Sequence, residues 1–230
     1  MGMSPALPRT SFNSPSLVRM LSNLAVPGIA SADGAEASAA KHTLAERLSP
    51  WLAWTDAIAL ASVLEDGSAA KPSNTKAGKP APATAVIEEL ARVRAALVRA
   101  VAADPVFAAS HAGSTAGFAP YRHQYATHQR AMEARIGLLR AKVRAVLSGH
   151  SPNLRRLAAL DAVLEQALSA RERMLLSTVP QGLEKHFERL RQGGQEFDGK
   201  EIQGVLLAEL ETRLQPVEGL IDALGNEAQP

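Results

Sequence analysis

The sequence predicts an all-α protein, a helical bundle with one long antiparallel hairpin of coiled-coil character and flexible linkers. Three observations carry that expectation. Hydrophobic residues make up 46% of the 230-residue chain but aromatics only 4%, so Ala and Leu, which suit helices and not sheets, supply most of the apolar content. Apolar residues recur at spacings of three and four in several runs, the period of an amphipathic helix. Ser-Pro pairs at Ser14-Pro15, Ser49-Pro50 and Ser151-Pro152 precede such runs, with Ser placed to cap free amides and Pro tolerated at the first helical position.

The first expected helix carries Leu17, Met20, Leu21 and Leu24 on one face and stops before Pro27-Gly28. Residues 29–41 are rich in Ala, Ser and Gly and read as loose. Thr43 and Glu46 then match a capping box, and ordered structure is expected to resume there through Leu64. This segment holds both tryptophans, Trp51 and Trp54, three residues apart on one helical side. Their expected role is core anchoring, with an aromatic docking patch as the alternative. The stretch from Asp66 to Pro82 has no large apolar residue among its Gly, Pro, Ser and Lys, and reads as a flexible linker.

A helix from about Thr84 to Ala103 follows, with Val86, Ile87, Leu90, Val93, Leu97 and Val101 on one side and Asp104-Pro105 at its end. The longest signal starts at Pro120. Tyr121, Tyr125, His128, Met132, Ile136, Leu139, Val143 and Val146 are spaced 4, 3, 4, 4, 3, 4 and 3, close to the heptad average. After a short break at Ser148 to Pro152, Leu154, Leu157, Leu160, Val163, Leu164, Leu168 and Leu175 form a second run. The brevity of the break predicts antiparallel neighbours. A further helix is expected after Val179-Pro180, broken at Gly193-Gly194. The last begins near Lys200, where Pro216 is expected to kink or split it. The organisation expected is therefore 1–65, short N-terminal helices; 66–83, linker; 84–192, a central bundle with a basic hairpin; and 193–230, an acidic helical segment.

Charge is unevenly spread. The net +2 hides an excess of seven positive charges in residues 118–192 and of six negative charges in 193–230. Arg122, Arg130, Arg135, Arg140, Lys142, Arg144, Arg155 and Arg156 fall in a stretch, 118–156, whose one acidic residue is Glu133. They are the candidate interaction surface, for a protein partner or for a phosphate backbone. Whether the acidic segment covers them is open.

Catalytic and cofactor motifs are rejected one by one. With no cysteine, thiolate metal sites, disulfides and cysteine nucleophiles are excluded by inventory. Gly194 to Lys200 has the GxxxxGK spacing of a phosphate loop. Glu201, however, stands where Ser or Thr is needed, Glu196 and Asp198 would repel phosphate, and no strand is expected before it. His123 and His128 are five apart and point about 140° from one another, which suits no shared metal, and His128 falls in the apolar seam as an expected hydrogen-bonded interior residue. Glu88-Glu89, Glu209 with Glu211, and Asp161 with Glu165 read as solvated helix faces and not as acid–base pairs. No catalytic residue, metal or cofactor is expected, no run is long and apolar enough to span a bilayer, and the start has no apolar export signal, so a soluble cytoplasmic protein is expected.

Phe118 to Tyr125 (FAPYRHQY), His128 to Gly137 (HQRAMEARIG), Ser151 to Glu165 (SPNLRRLAALDAVLE), Val179-Pro180, Phe187 to Leu190 (FERL) and the opening Pro8 to Phe12 (PRTSF) resemble the proteobacterial family catalogued as domain of unknown function 3348. The resemblance covers most of the chain and leaves Asp66 to Pro82 as a variable insert. Genes of that family tend to lie near those for OmpA-like and motor-protein-like envelope components, so the resemblance implies a cytoplasmic accessory of an envelope assembly. Its motifs carry no assigned chemistry, and no functional residue transfers from it. The function expected is a non-enzymatic scaffold or adaptor that binds a protein partner or itself through its helices. A nucleic-acid-binding accessory and a coat of lipid or polyester granules are the alternatives.

Overall fold

The structure, a computed structural model, describes residues 16–24, 54–66, 83–108 and 117–227. Among these residues all regular structure is helical: α1 (Ser16–Asn23), α2 (Trp54–Asp66), α3 (Ala83–Ala102), α4 (Pro105–Ala108), α5 (Ala119–Ser148), α6 (Pro152–Leu176), α7 (Val179–Gln192) and α8 (Gly199–Glu227). The capping box at Thr43, Trp51, the loose stretch 29–41 and linker residues 67–82 lie outside the described residues.

Local signals set several boundaries. Ser151 Oγ accepts from Leu154 N at 3.2 Å with Pro152 behind it, so the cap that starts α6 is the Ser-Pro device read in the sequence. Asp104 ends α3 and starts α4, its Oδ1 accepting from Val106 N at 2.9 Å. After α7, Gly194 takes φ +67°, a left-handed turn that lets Gln195 N reach back to Leu190 O at 2.9 Å. Pro216 does not split α8, which runs on through it.

Every residue of the heptad seam on α5, from Tyr121 to Val146, is buried. The seam faces a bundle, with α3, α6 and α8 all packed against α5. Contacts between α5 and α6 run in opposite chain order: Ser148 O with Arg155, Arg144 with Asp161, Glu133 with Arg173, and the side chain of Gln129 with Leu176 O. On α6 the inward face is Leu154, Ala158 and Asp161, while Leu157, Leu160, Val163, Leu164 and Leu168 are only half-buried and Leu175 is exposed. The helix is therefore turned from the Leu-rich line that its sequence suggests.

The acidic segment is the centre of the bundle. Twelve α8 residues are buried, among them Ile202, Leu206, Leu210, Leu214 and Val217, and α8 packs against α1, α3, α4, α5 and α6. A glycine permits this approach: a Cβ on Gly199 would meet Phe107 O at 2.2 Å, whereas one on Gly204 would meet only the flexible end of Met20, Cε at 2.7 Å. At the same end Phe107, Phe118, Tyr121, Phe187 and Phe197 form one aromatic cluster, with neighbouring ring centroids 5.3–6.4 Å apart.

Candidate functional site

The eight candidate cations do not form a free basic face. Arg140 and Arg144 point at α6 and are 15% and 18% exposed. Arg140 Nε and Nη2 donate to the two Asp161 oxygens at 2.9 and 2.6 Å, while Arg144 Nη1 donates to Asp161 at 3.0 Å and to Glu165 at 2.5 Å. Burial pulls the Arg144 guanidinium down from its ordinary pKa, but the hydrogen bonds it donates to Glu165 and Asp161, with the charges of those carboxylates, outweigh it and leave the group raised. Arg122 pairs with Glu184, and Lys142 lies 3.5 Å from Glu89. Arg130 binds Ala126 O and Thr127 Oγ1 on its own helix, Arg155 binds Ser148 O, and Arg156 binds Leu64 O on α2. Arg135 is exposed.

Two carboxylates read as solvated in the sequence prove to be interior. Asp161 is the hub of the α5–α6 pairs. Glu209 is 0% exposed. It accepts from Tyr125 Oη at 2.7 Å, from Gln129 Nε2 at 3.0 and 3.1 Å and from Arg213 Nε at 2.9 Å. Arg213, 8% exposed, also reaches Glu172 on α6 at 3.2 Å, and Gln129 donates to Leu176 O at 3.0 Å, so one polar knot ties α5, α6 and α8 together. A buried charge persists only when paired and hydrogen-bonded, and Glu209 meets both conditions. Burial, then the charge and the acceptor bond of Glu209, hold the Tyr125 phenol well above its ordinary pKa. Glu88 is exposed, Glu89 pairs with Arg92 at 2.7 Å, and Glu211 pairs with Arg94.

His128 is buried, with Nε2 2.7 Å from Asp104 Oδ2, and Gln124 donates to the same oxygen at 2.5 Å. The interior, hydrogen-bonded role expected for it is the one observed. The GxxxxGK stretch follows helix α7 and not a strand, and Asp198 Oδ1 accepts from Lys200 N at 2.9 Å, a local turn bond. Trp54 does not anchor the core: it is 80% exposed. Its side chain projects from the side of α2 opposite the half-buried Ala59, Leu60 and Val63, the side that meets α6.

Between α5, α6 and α8 lies a half-open cleft of about 570 Å³. Ile136, Ala162, Leu175, Leu176 and Pro216 give it apolar walls, and the pairs Arg173–Glu133 and Arg213–Glu172 cross from helix to helix beside it at 3.2 Å. Gly137 also lines it, with nothing within 4 Å of where a Cβ would stand. Among the described residues no three His, Asp or Glu side chains are grouped to hold a metal ion, and no helix is long and apolar enough to cross a membrane.

Fold and site together define an all-α bundle whose charged residues act mainly between its own helices. The chain belongs to the family described as Protein of unknown function (DUF3348), which matches residues 3–226 and so nearly the whole sequence. No curated protein and no solved structure matches it.

Proposed function

We propose that this chain is a non-enzymatic helical adaptor that holds a protein partner on the outer face of α2. The supporting observation is a contrast between two surfaces. The cations that would have to follow a phosphate backbone are largely spent on carboxylates and carbonyls of the chain itself, whereas α2 turns Trp54, Ile58 and Leu64 outward at 80%, 54% and 51% exposure. With Ala61 these residues fall at spacings of four, three and three, one continuous stripe along the helix. Isolated exposed apolar residues are ordinary on any surface, but three large ones aligned on a 13-residue helix form a surface that gains by being covered.

The partner that fits is an amphipathic helix laid along the stripe, carrying a cation to face the exposed Glu65 that lies in line with Trp54 and Ile58. Trp54 would supply the anchor, since aromatic side chains at interface centres contribute most of the binding energy. The test is affinity purification of the tagged full chain from native lysate, in nuclease-treated and untreated halves, beside a Trp54→Ser/Ile58→Ser variant. The expected result is a protein retained in both halves by the native chain and reduced roughly tenfold or more by the variant. A partner that disappears with nuclease, or one that the variant retains equally, refutes the reading.

A further inference from the structure

Two large apolar side chains stand further into solvent than any other among the described residues: Trp54 on α2, 80% exposed, and Leu138 on α5, 75% exposed. The faces that carry them differ in charge. Leu138 belongs to an outer line of α5, Ala134, Leu138, Ala141 and Ala145, spaced four, three and four and exposed at every position. Basic side chains border this line. Arg130 binds groups of its own helix, Arg135 is exposed and meets no acidic group among the described residues, and Lys142, its side chain 55% exposed, lies 3.5 Å from Glu89. When the charges that border this side from α3 and α6 are included, five cations (Arg92, Arg130, Arg135, Lys142 and Arg173) stand against three carboxylates (Glu88, Glu89 and Glu133).

The α2 stripe is the converse. All three charged residues in the α2 sequence are acidic, Asp56, Glu65 and Asp66, and counting Arg156 and Arg171 of α6 against them leaves an excess of one negative charge. Laying α2 on its own copy would bring these acids together, which like charges oppose. The α5 line sets cations beside them instead. Lengths match as well: at about 1.5 Å per helical residue, Trp54 to Leu64 and Ala134 to Ala145 each run about 15–17 Å. The alanines on either side of Leu138 leave low ground for the larger Trp54 and Ile58.

We infer that the helix laid along α2 is α5 of a second copy of this chain, the stripe of Trp54, Ile58 and Leu64 against the line through Leu138, with Arg130, Arg135 and Lys142 beside the acidic residues of α2. This inference rests on the adaptor reading of α2 and names its partner. Two faces of about three turns cover less than the roughly 800 Å² per partner of a standard complex, so the contact is a weak one that exchanges freely. Sedimentation velocity and light scattering on the full chain, from about 10 μM to about 1 mM, provide the test. Native mass is expected to rise with concentration and to fall back as salt is raised. Trp54→Ser/Ile58→Ser disables α2 and Leu138→Ser disables α5; each is expected to keep the native melting temperature, because these side chains are exposed, and to weaken self-association roughly tenfold. Arg135→Glu is expected to weaken it roughly three- to tenfold. Because the joined faces are unlike, the α2 variant and the Leu138→Ser variant, mixed in equal amounts, are expected to form a 1:1 complex that neither forms alone. Failure of the mixture to associate, or self-association that survives both Leu138→Ser and Arg135→Glu, overturns α5 as the partner face. A native chain that stays monomeric yet holds a lysate protein through Trp54 overturns the second-copy assignment alone, and a chain that does neither overturns the adaptor reading with it.

Discussion

Replacing Glu209 with Ala removes the centre of the polar knot. Tyr125 Oη at 2.7 Å, Gln129 Nε2 at 3.0 Å and Arg213 Nε at 2.9 Å all lose their acceptor. What remains is a guanidinium 8% exposed, with Glu172 at 3.2 Å as its other carboxylate. Breaking a buried ion pair from one side costs about 3–5 kcal/mol. The surviving contact to a half-exposed Glu172 offsets about 0–1 kcal/mol of that, and a buried phenol without a partner adds about 1–3 kcal/mol. These terms overlap, and the expected net loss is about 4 kcal/mol. At this chain length that lowers the melting temperature by about 8–16 °C. The assay is urea unfolding followed by far-ultraviolet circular dichroism, with the triple variant Glu209→Leu/Arg213→Leu/Tyr125→Phe alongside. Because that variant leaves no charge stranded in the core, it is expected to lose less than Glu209→Ala alone. A loss under about 1 kcal/mol for Glu209→Ala, or a triple variant worse than the single one, refutes the knot as described.

Asp161→Ala strands Arg140 and Arg144 on Glu165 and is expected to cost about 2–4 kcal/mol in the same urea assay; an effect within about 0.5 kcal/mol would show that the α5–α6 pairs are ordinary surface contacts. Gly199→Ala places a methyl group 2.2 Å from Phe107 O, and separating α4 from α8 is expected to cost about 1–3 kcal/mol. Gly219→Ala, in open space within α8, is expected to gain about 0.5–1 kcal/mol. Matched melting curves decide both, and equal effects of the two would contradict the close approach. Tyr125, whose folded pKa is raised, contributes stability fully present below its unfolded pKa near 10 and lost as pH rises from there toward the folded value. Unfolding free energies from pH 9 to 11 should therefore fall more steeply for the native chain than for Tyr125→Phe, and parallel curves would remove Tyr125 as the cause.

The α5 seam was fully legible because its eight positions obey one period, and the structure buries all eight. Ser151-Pro152 was legible for the same local reason, a cap made by adjacent residues. Asp161 and Glu209 were not, because a carboxylate among Ala and Leu reads as solvent-facing unless its place on the apolar side is noticed. Asp161 is seven residues from both Leu154 and Leu168, and Glu209 is seven from Ile202, so each sits inside its helix's own stripe. That register was the available signal. Their partners, Arg140 at a separation of 21 and Tyr125 at 84, follow from tertiary packing that no local pattern encodes. Trp54 failed in the opposite direction, since aromatic size favours burial but α2 presents its smaller Ala59, Leu60 and Val63 side to α6.

The central position of α8 also orders events during synthesis. α1 and α3 bury Leu21, Leu97 and Val101 in the core that α8 completes, and α8 is translated after all of them. At about 5–20 residues per second, roughly six to twenty-five seconds separate the end of α3 from the end of α8. Through that interval α3, α5 and α6 can pack on one another, but the faces that meet α8 stay open. A chain that stops before Gly199 lacks the helix against which α1, α3, α4, α5 and α6 all pack.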